Sequence, residues 1–137
     1  MTTILAPARA LDVRVYYEDT DFSGRVYHAS YLRFMERGRT EWLRALGFEH
    51  GALSSGERLV FAVRSLEIEY LAAAVIDDLL SVETRLAGIR GAVVEFAQRI
   101  LRGGETIAEA RVRVVALKDG RAARVPAELR ARLNAAR

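Results

Sequence analysis

The alternation of apolar and polar positions changes period twice along the chain. From Asp12 to Glu18 the residues Val13, Val15 and Tyr17 alternate with Asp12, Arg14 and Tyr16, a period of two that places successive side chains on opposite faces of a half-buried strand. Asp19 to Arg25 gathers Asp, Thr, Ser and Gly, which ends that strand in a loop. From about Ala29 to Leu46 the apolar residues Tyr31, Met35, Gly38, Trp42 and Leu46 recur at steps of three or four, with Arg33, Arg37, Thr40 and Arg44 opposite them. This predicts an amphipathic helix with one face toward the core. Gly38 costs about 1 kcal/mol against alanine inside a helix, so its place in the stripe predicts a close approach of helix to sheet. Gly47 follows as a C-terminal stop.

Beyond Ser54, Ser55 and Gly56 the period returns to two. Leu59, Phe61 and Val63 share one phase and Leu66, Ile68 and Tyr70 the other, which predicts a β-bulge near Arg64 and Ser65. Leu80, Val82 and Leu86 mark a third strand, Val94, Phe96 and Ile100 a fourth, and Ala108 to Ala116 a fifth. Gly88 to Gly91 and Gly103-Gly104 are expected to form the tight turns between them. Pro126 is placed to open a short terminal helix through Glu128 and Leu129. The predicted fold is therefore α+β, a five-stranded antiparallel sheet with one long helix across its concave face, since no second helix of comparable length is available to cover that stripe. Residues 1–137 read as a single domain, with 1–11 and 121–137 expected as flexible ends or a short terminal helix.

Composition narrows the class. A 137-residue chain that is 51% hydrophobic has enough apolar material for its own core and does not read as disordered. The absence of cysteine removes disulfides, thiolate metal sites and a cysteine nucleophile. No run approaches the roughly 20 apolar residues of a membrane span, and Met1 to Leu11 lacks the pattern of a cleaved signal, so a cytoplasmic protein without an integral membrane segment is expected. The net charge of +3 invites a polyanion. The basic residues are scattered, however, and apart from Lys118 all are arginine, which argues against a nucleic-acid partner and leaves a few arginines for phosphates.

Chemistry is concentrated where the first strand gives way to the loop. Glu18, Asp19 and Asp21 place three carboxylates within four residues, and two readings stand side by side: turn and capping acids, for which Asp is a common choice, or a reactive group. The second gains from the nearby helix start, whose first N–H groups are unpaired and carry the positive end of the dipole. Such donors can hold an oxyanion, and a carboxylate seven residues earlier can face the same point. His28, at that helix start, reads either as a helix-entry residue or as part of the site; a general-base role is disfavoured there, because the dipole opposes its protonation. His50 looks incidental. Ser54 and Ser55 do not form a G-x-S-x-G elbow. No phosphate loop, dinucleotide fingerprint or metal-ligand spacing occurs. Glu36 and Glu41 read as solvated partners of Arg33, Arg37 or Arg44.

Three segments, Val13-Arg-Val-Tyr-Tyr-Glu-Asp-Thr-Asp21, Gly24-Arg-Val-Tyr-His-Ala-Ser-Tyr31 and Glu36-Arg-Gly-Arg-Thr-Glu41, resemble the Tol-Pal-associated acyl-CoA thioesterases of the 4-hydroxybenzoyl-CoA thioesterase-like, hotdog-fold group. The resemblance runs from the first strand through Val115. It implies a hotdog fold and hydrolysis of short- or medium-chain or aromatic acyl-CoA, with no metal and no organic cofactor, since a thioester is already activated. By the same resemblance Asp21 is the catalytic carboxylate, as nucleophile or general base, the backbone N–H of His28 polarises the thioester carbonyl, and Tyr27 lines the site. Val63 and Arg64 resemble the strand along the acyl and pantetheine channel, and Arg90 a basic residue near the coenzyme A phosphates. A homodimer or homotetramer with sites between subunits is implied as well. The chain departs from the family pattern at Ala72 to Ala74, at Ala92, and at Phe22-Ser23, where small residues are frequent; these bear on acyl preference and rate. The competing expectation is a non-catalytic acyl-CoA- or protein-binding module of the same fold, linked to the cell-envelope Tol-Pal system.

Overall fold

A computed structural model describes residues 9–137. Strand β1 (Arg9–Arg14) leads through a loop to the long helix α1 (His28–Ala45). A helical turn, α2 (His50–Ala52), continues into a wider turn over Leu53–Glu57. Strands β2 (Leu59–Tyr70), β3 (Leu79–Arg90), β4 (Val93–Arg102) and β5 (Glu105–Lys118) follow, then the two-residue β6 (Arg121–Ala122) and helix α3 (Ala127–Ala135). The sheet order is β1-β3-β4-β5-β2, with β6 on β5, and every pairing is antiparallel. The five-stranded antiparallel sheet with its single long helix is the architecture implied by the hotdog resemblance; β6 adds a short sixth strand.

The sheet packs round α1 because each covers the other's apolar face, with Leu129 and Leu133 of the terminal helix joining the same core. Tyr31, Phe34, Met35, Gly38, Trp42 and Leu43 are the buried residues of the helix beside Ser30. They meet Val82 and Leu86 of β3, Val94, Phe96 and Ile100 of β4, and Val112, Val114 and Ala116 of β5 in one core. The rings of Trp42 and Phe96 pack edge to face with centroids 5.4 Å apart. At Gly38 helix and sheet approach closely: a Cβ there would lie 2.8 Å from Val82 Cγ1 and 2.9 Å from Thr84 Oγ1. The cost of glycine in the stripe thus has its expected cause.

The bulge predicted in β2 is present as a register shift between Val63 and Ser65. One extra residue there keeps Leu59, Phe61 and Val63 on the same face as Leu66, Ile68 and Tyr70, although their sequence phase changes. Away from the helix, the scattered arginines are answered by acids across strands. Arg111 and Arg113 both meet Glu95, at 2.8 and 3.3 Å, and Arg99 meets Glu83 at 2.6 Å.

Three local expectations are corrected. The first strand is expected over Asp12 to Glu18, but β1 already pairs with β3 at Arg9, the first described residue, and stops at Arg14. Tyr17–Asp19 form a 3-10 turn instead. Asp19 holds that turn: its carboxylate accepts the Tyr16 N–H at 2.8 Å while its own N–H donates to Tyr16 O at 3.0 Å, a local side-chain bond that favours a turn over extended chain. The turn expected over Gly88 to Gly91 is shorter, because β3 runs to Arg90; Gly88 sits at a register shift, and Gly91 alone takes the positive φ of +61°. The terminal helix extends well past Leu129, since Leu133 as well as Leu129 is buried and Arg130 donates to Gly91 O at 3.0 Å.

Candidate active site

The loop between β1 and α1 is held at both flanks. Thr20 bridges to Val26 and Arg25 to Val75. The Val26 N–H donates to Ala74 O and the Tyr27 N–H to Asp19 O, each at 2.9 Å. Within this frame the Asp21 N–H donates to Arg25 O and the Gly24 N–H to Asp21 O, both at 2.9 Å, a tight reversal that needs the φ of +84° at Gly24. The three clustered acids are thereby sorted. Asp19 is buried and caps the 3-10 turn, whereas Glu18 and Asp21 are exposed.

Asp21 Oδ1 accepts two hydrogen bonds from Ser23, one from its N–H at 2.8 Å and one from its Oγ at 2.5 Å. These donors, the hydroxyl first, hold the Asp21 carboxyl below the usual carboxylate range against a small opposing effect of desolvation, and the charges of His28 and Arg25 add to the lowering. The turn-acid reading is therefore true of the Asp21 geometry, yet it leaves an exposed, ionised carboxylate at the loop tip.

Helix α1 begins at His28 with Tyr27 as its N-cap, and the Tyr27 side chain caps nothing. The Ser30 N–H donates to Tyr27 O at 2.8 Å. Among the described residues no acceptor meets the N–H of His28 or Ala29, as expected of the first N–H groups of a helix, which carry the positive end of its dipole; this helix has 18 residues. The His28 ring stacks obliquely on Tyr27, with centroids 4.3 Å apart. The Tyr70 hydroxyl, at the end of β2, donates to His28 O at 3.0 Å and its ring packs edge-on to Tyr31. Burial, with Tyr31 nearby, raises the Tyr70 phenol above its usual range. His28 thus lies within electrostatic reach of Asp21, with Tyr27 stacked on it; the capping reading of the clustered acids holds for Asp19, whereas the sequence reading gave no role to the Tyr70 or Ser23 hydroxyls, which look like ordinary strand and turn groups until the chain is folded.

The other expected site residues lie elsewhere. Val63 borders a cavity of about 160 Å³ beneath α1, together with Arg39, Thr40, His50 and Phe61. Arg64 is exposed on β2 at the bulge. Arg90 closes β3 at the end remote from Leu79, which pairs with Arg14 beside the loop; a strand of 12 residues spans roughly 36 Å. The fold of the chain does not bring Arg90 to Asp21. Glu41 does pair with Arg44, at 3.3 Å, but Glu36 borders the Val63 cavity instead of joining a solvated pair. Beside it Arg39 donates to the buried Gln98 Oε1 at 3.0 Å; burial lowers the Arg39 guanidinium, partly offset by Glu36.

The model of the thioesterase-like superfamily matches residues 15–133. The chain belongs to this superfamily. Among its members, the acyl-CoA thioesterase YbgC of Haemophilus influenzae is 48% identical over 109 residues, covering 80% of each chain. The acyl-CoA thioester hydrolase YbgC of Escherichia coli O6:H1 is 50% identical over 104 residues, covering 75% of this chain and 77% of that protein. A probable thioesterase from Bartonella henselae superposes with a TM-score of 0.84 at 42% identity, covering 87% of this chain and 99% of its own. A Thermus thermophilus thioesterase, solved with coenzyme A and zinc, gives 0.84 at 26% identity over 97% and 96% of the two chains. The hotdog arrangement of this superfamily is thus the fold of the present chain. No helix among the described residues is long and apolar enough to cross a membrane.

Proposed function

We propose that this protein hydrolyses acyl-CoA thioesters to free acid and coenzyme A, in the cytoplasm, with Asp21 and the N-terminus of α1 as the reacting pair. The observation that carries the proposal is a His28 N–H without an acceptor among the described residues at the head of an 18-residue helix, with the exposed Asp21 carboxylate on the preceding loop close enough to feel the His28 charge. A thioester carbonyl seated on that N–H gains stabilisation as negative charge grows on its oxygen. Asp21 then either attacks the carbonyl carbon, giving an anhydride that water opens, or takes the proton of an attacking water. In both routes the C–S bond breaks and one water is consumed: one of its protons ends on the thiol of coenzyme A and the other leaves with the acid, while its oxygen ends on the acid when water attacks the acyl carbon, or on Asp21, whose own oxygen then leaves with the acid, when water opens the anhydride at the Asp21 carboxyl.

The names of the relatives, acyl-CoA thioesterase and acyl-CoA thioester hydrolase, support the substrate class. Short- or medium-chain and aromatic acyl groups are the substrates we favour. A homodimer, paired again into a homotetramer, fits the same reading: β2 is an edge strand of 12 residues that exposes Val60, Val63, Leu66 and Tyr70, and such an edge is a template for another strand. A partner would then supply Val63, Arg64 and Arg90 to a site they do not reach within one subunit.

The test is coenzyme A release from a panel of acetyl-, butyryl-, octanoyl-, palmitoyl- and benzoyl-CoA. Asp21→Asn keeps the shape and removes the charge, and is expected to lower turnover by about a hundredfold or more. Equal rates in the two proteins would refute the role of Asp21.

A further inference from the structure

The Asp21 carboxylate is held asymmetrically. Both donors of Ser23 reach the same oxygen, Oδ1, at 2.8 Å from the N–H and 2.5 Å from the hydroxyl. Among the described residues Oδ2 has no donor. The Ser23 hydroxyl is itself placed, since its oxygen accepts the Arg25 N–H at 3.3 Å, and Arg25 is pinned by its bridge to Val75. Phe22, between the two, is wholly exposed and makes no claim on the carboxylate.

We propose that Ser23 is a positioning residue for the reaction: it clamps Oδ1 and so presents Oδ2 as the oxygen that attacks the thioester carbon or takes the proton from water. This inference rests on the assignment of Asp21 above. A carboxylate has two equivalent oxygens and a freely turning χ2, so a loop aspartate in solvent samples many orientations. Two donors on one oxygen stop that rotation, and charge-assisted bonds of this kind are about twice as strong as neutral ones. Reduced rotation lowers the entropic part of the barrier. The same donors keep the group ionised. The backbone N–H would hold Oδ1 with any residue at position 23, whereas the hydroxyl is contributed by serine or threonine alone. The charged groups facing Asp21 are Arg25 from its own loop and His28 from the head of α1; both favour the ionised form, so neither masks the effect of removing the hydroxyl.

The experiment compares Ser23→Ala, Ser23→Thr and Asp21→Asn with the parent across pH, recording kcat and KM separately. A parallel titration follows the 13Cγ resonance of Asp21 by NMR, which does not depend on turnover. Ser23→Ala is expected to lower kcat about five- to tenfold with KM nearly unchanged, and to move both the acid limb of the profile and the Asp21 titration to higher pH. Ser23→Thr restores both. A Ser23→Ala protein with the parent's kcat and the parent's titration overturns the proposal. So does a threonine variant that behaves as alanine while its Tm equals the parent's. If Asp21→Asn is inactive and Ser23→Ala is unaltered, the clamp fails alone; if Asp21→Asn is fully active, the catalytic assignment fails and the clamp with it.

Discussion

Replacing Gly38 by alanine separates tertiary packing from helix propensity, because the two predict opposite signs. Propensity alone makes the alanine helix more stable by about 1 kcal/mol. In the folded protein the added methyl lies 2.8 Å from Val82 Cγ1, 2.9 Å from Thr84 Oγ1 and 3.2 Å from Gln98 Nε2. Carbon atoms attract best at about 3.5–4.0 Å, so α1 and β3 must separate by several tenths of an ångström. Overpacking of this kind costs about 1–3 kcal/mol. The methyl also presses on the buried bond that Gln98 Nε2 donates to Thr84 Oγ1 at 2.8 Å, and leaving one partner of such a bond unsatisfied costs about 1–3 kcal/mol more. Subtracting the propensity gain leaves a net destabilisation of about 3 kcal/mol. With an m-value of about 2 kcal/mol per molar urea, the midpoint falls by about 1.5 M. Urea unfolding at one fixed protomer concentration measures it, since association with a second copy adds its own stabilisation. Gly51→Ala, with nothing within 4 Å of the new methyl, serves as the control and is expected to be neutral or slightly stabilising. A Gly38→Ala protein as stable as the parent, or more so, would refute the claim that helix and sheet touch at this point.

Tyr31→Phe is expected to destabilise by about 1–2 kcal/mol, because the Tyr31 hydroxyl is the acceptor at 3.0 Å for the buried Ala74 N–H; faster amide exchange at Ala74 and Val26, relative to the rest of the core, would show that the prop under the Asp21 loop has loosened. Asp78 is held below the usual carboxylate range by the Val75 N–H and by Arg102, and Glu95 by Arg111 and Arg113. Their stabilisation is complete above the ordinary carboxylate pKa and is lost as pH falls through the lowered values. The thermal midpoint should therefore stay level from about pH 7 to 5 and decline below about pH 4, and a midpoint that rose on acidification would contradict these pairings.

Much of the architecture is visible in the chain before it folds. The step of three and four from Tyr31 to Trp42, and the phase change between Val63 and Leu66, each depend on side chains close in sequence. A local pattern therefore predicts α1 and the β2 bulge to within a residue or so. The end of β1 was misplaced for the opposite reason. Val15 and Tyr17 continue the alternation, but the Asp19 carboxylate takes the Tyr16 N–H, and nothing in a period-two pattern weighs a side-chain acceptor three residues away.

The candidate site divides in the same way. Its polar ingredients, an acid-rich loop seven residues ahead of a helix start, follow from the order of residues, and the resemblance to the family implies that Asp21 is the reacting acid among Glu18, Asp19 and Asp21. Only the folded chain separates those acids physically. Asp19 turns inward because its carboxylate and its carbonyl find the N–H groups of Tyr16 and Tyr27. Asp21 stays at the surface with Ser23 on one oxygen. Gln98, distant in sequence from everything it touches, links Met35 O, Thr84 and Arg39 beneath the helix. Sequence spacing by itself determined which segments become helix and strand, because hydrophobic periodicity is a property of neighbours. The partners of Gln98 and Tyr70, distant from them in sequence, were decided by tertiary structure alone, because a polar group bonds only with what the fold brings within hydrogen-bond reach, and that is fixed by the packing of α1 against a sheet made from the rest of the chain.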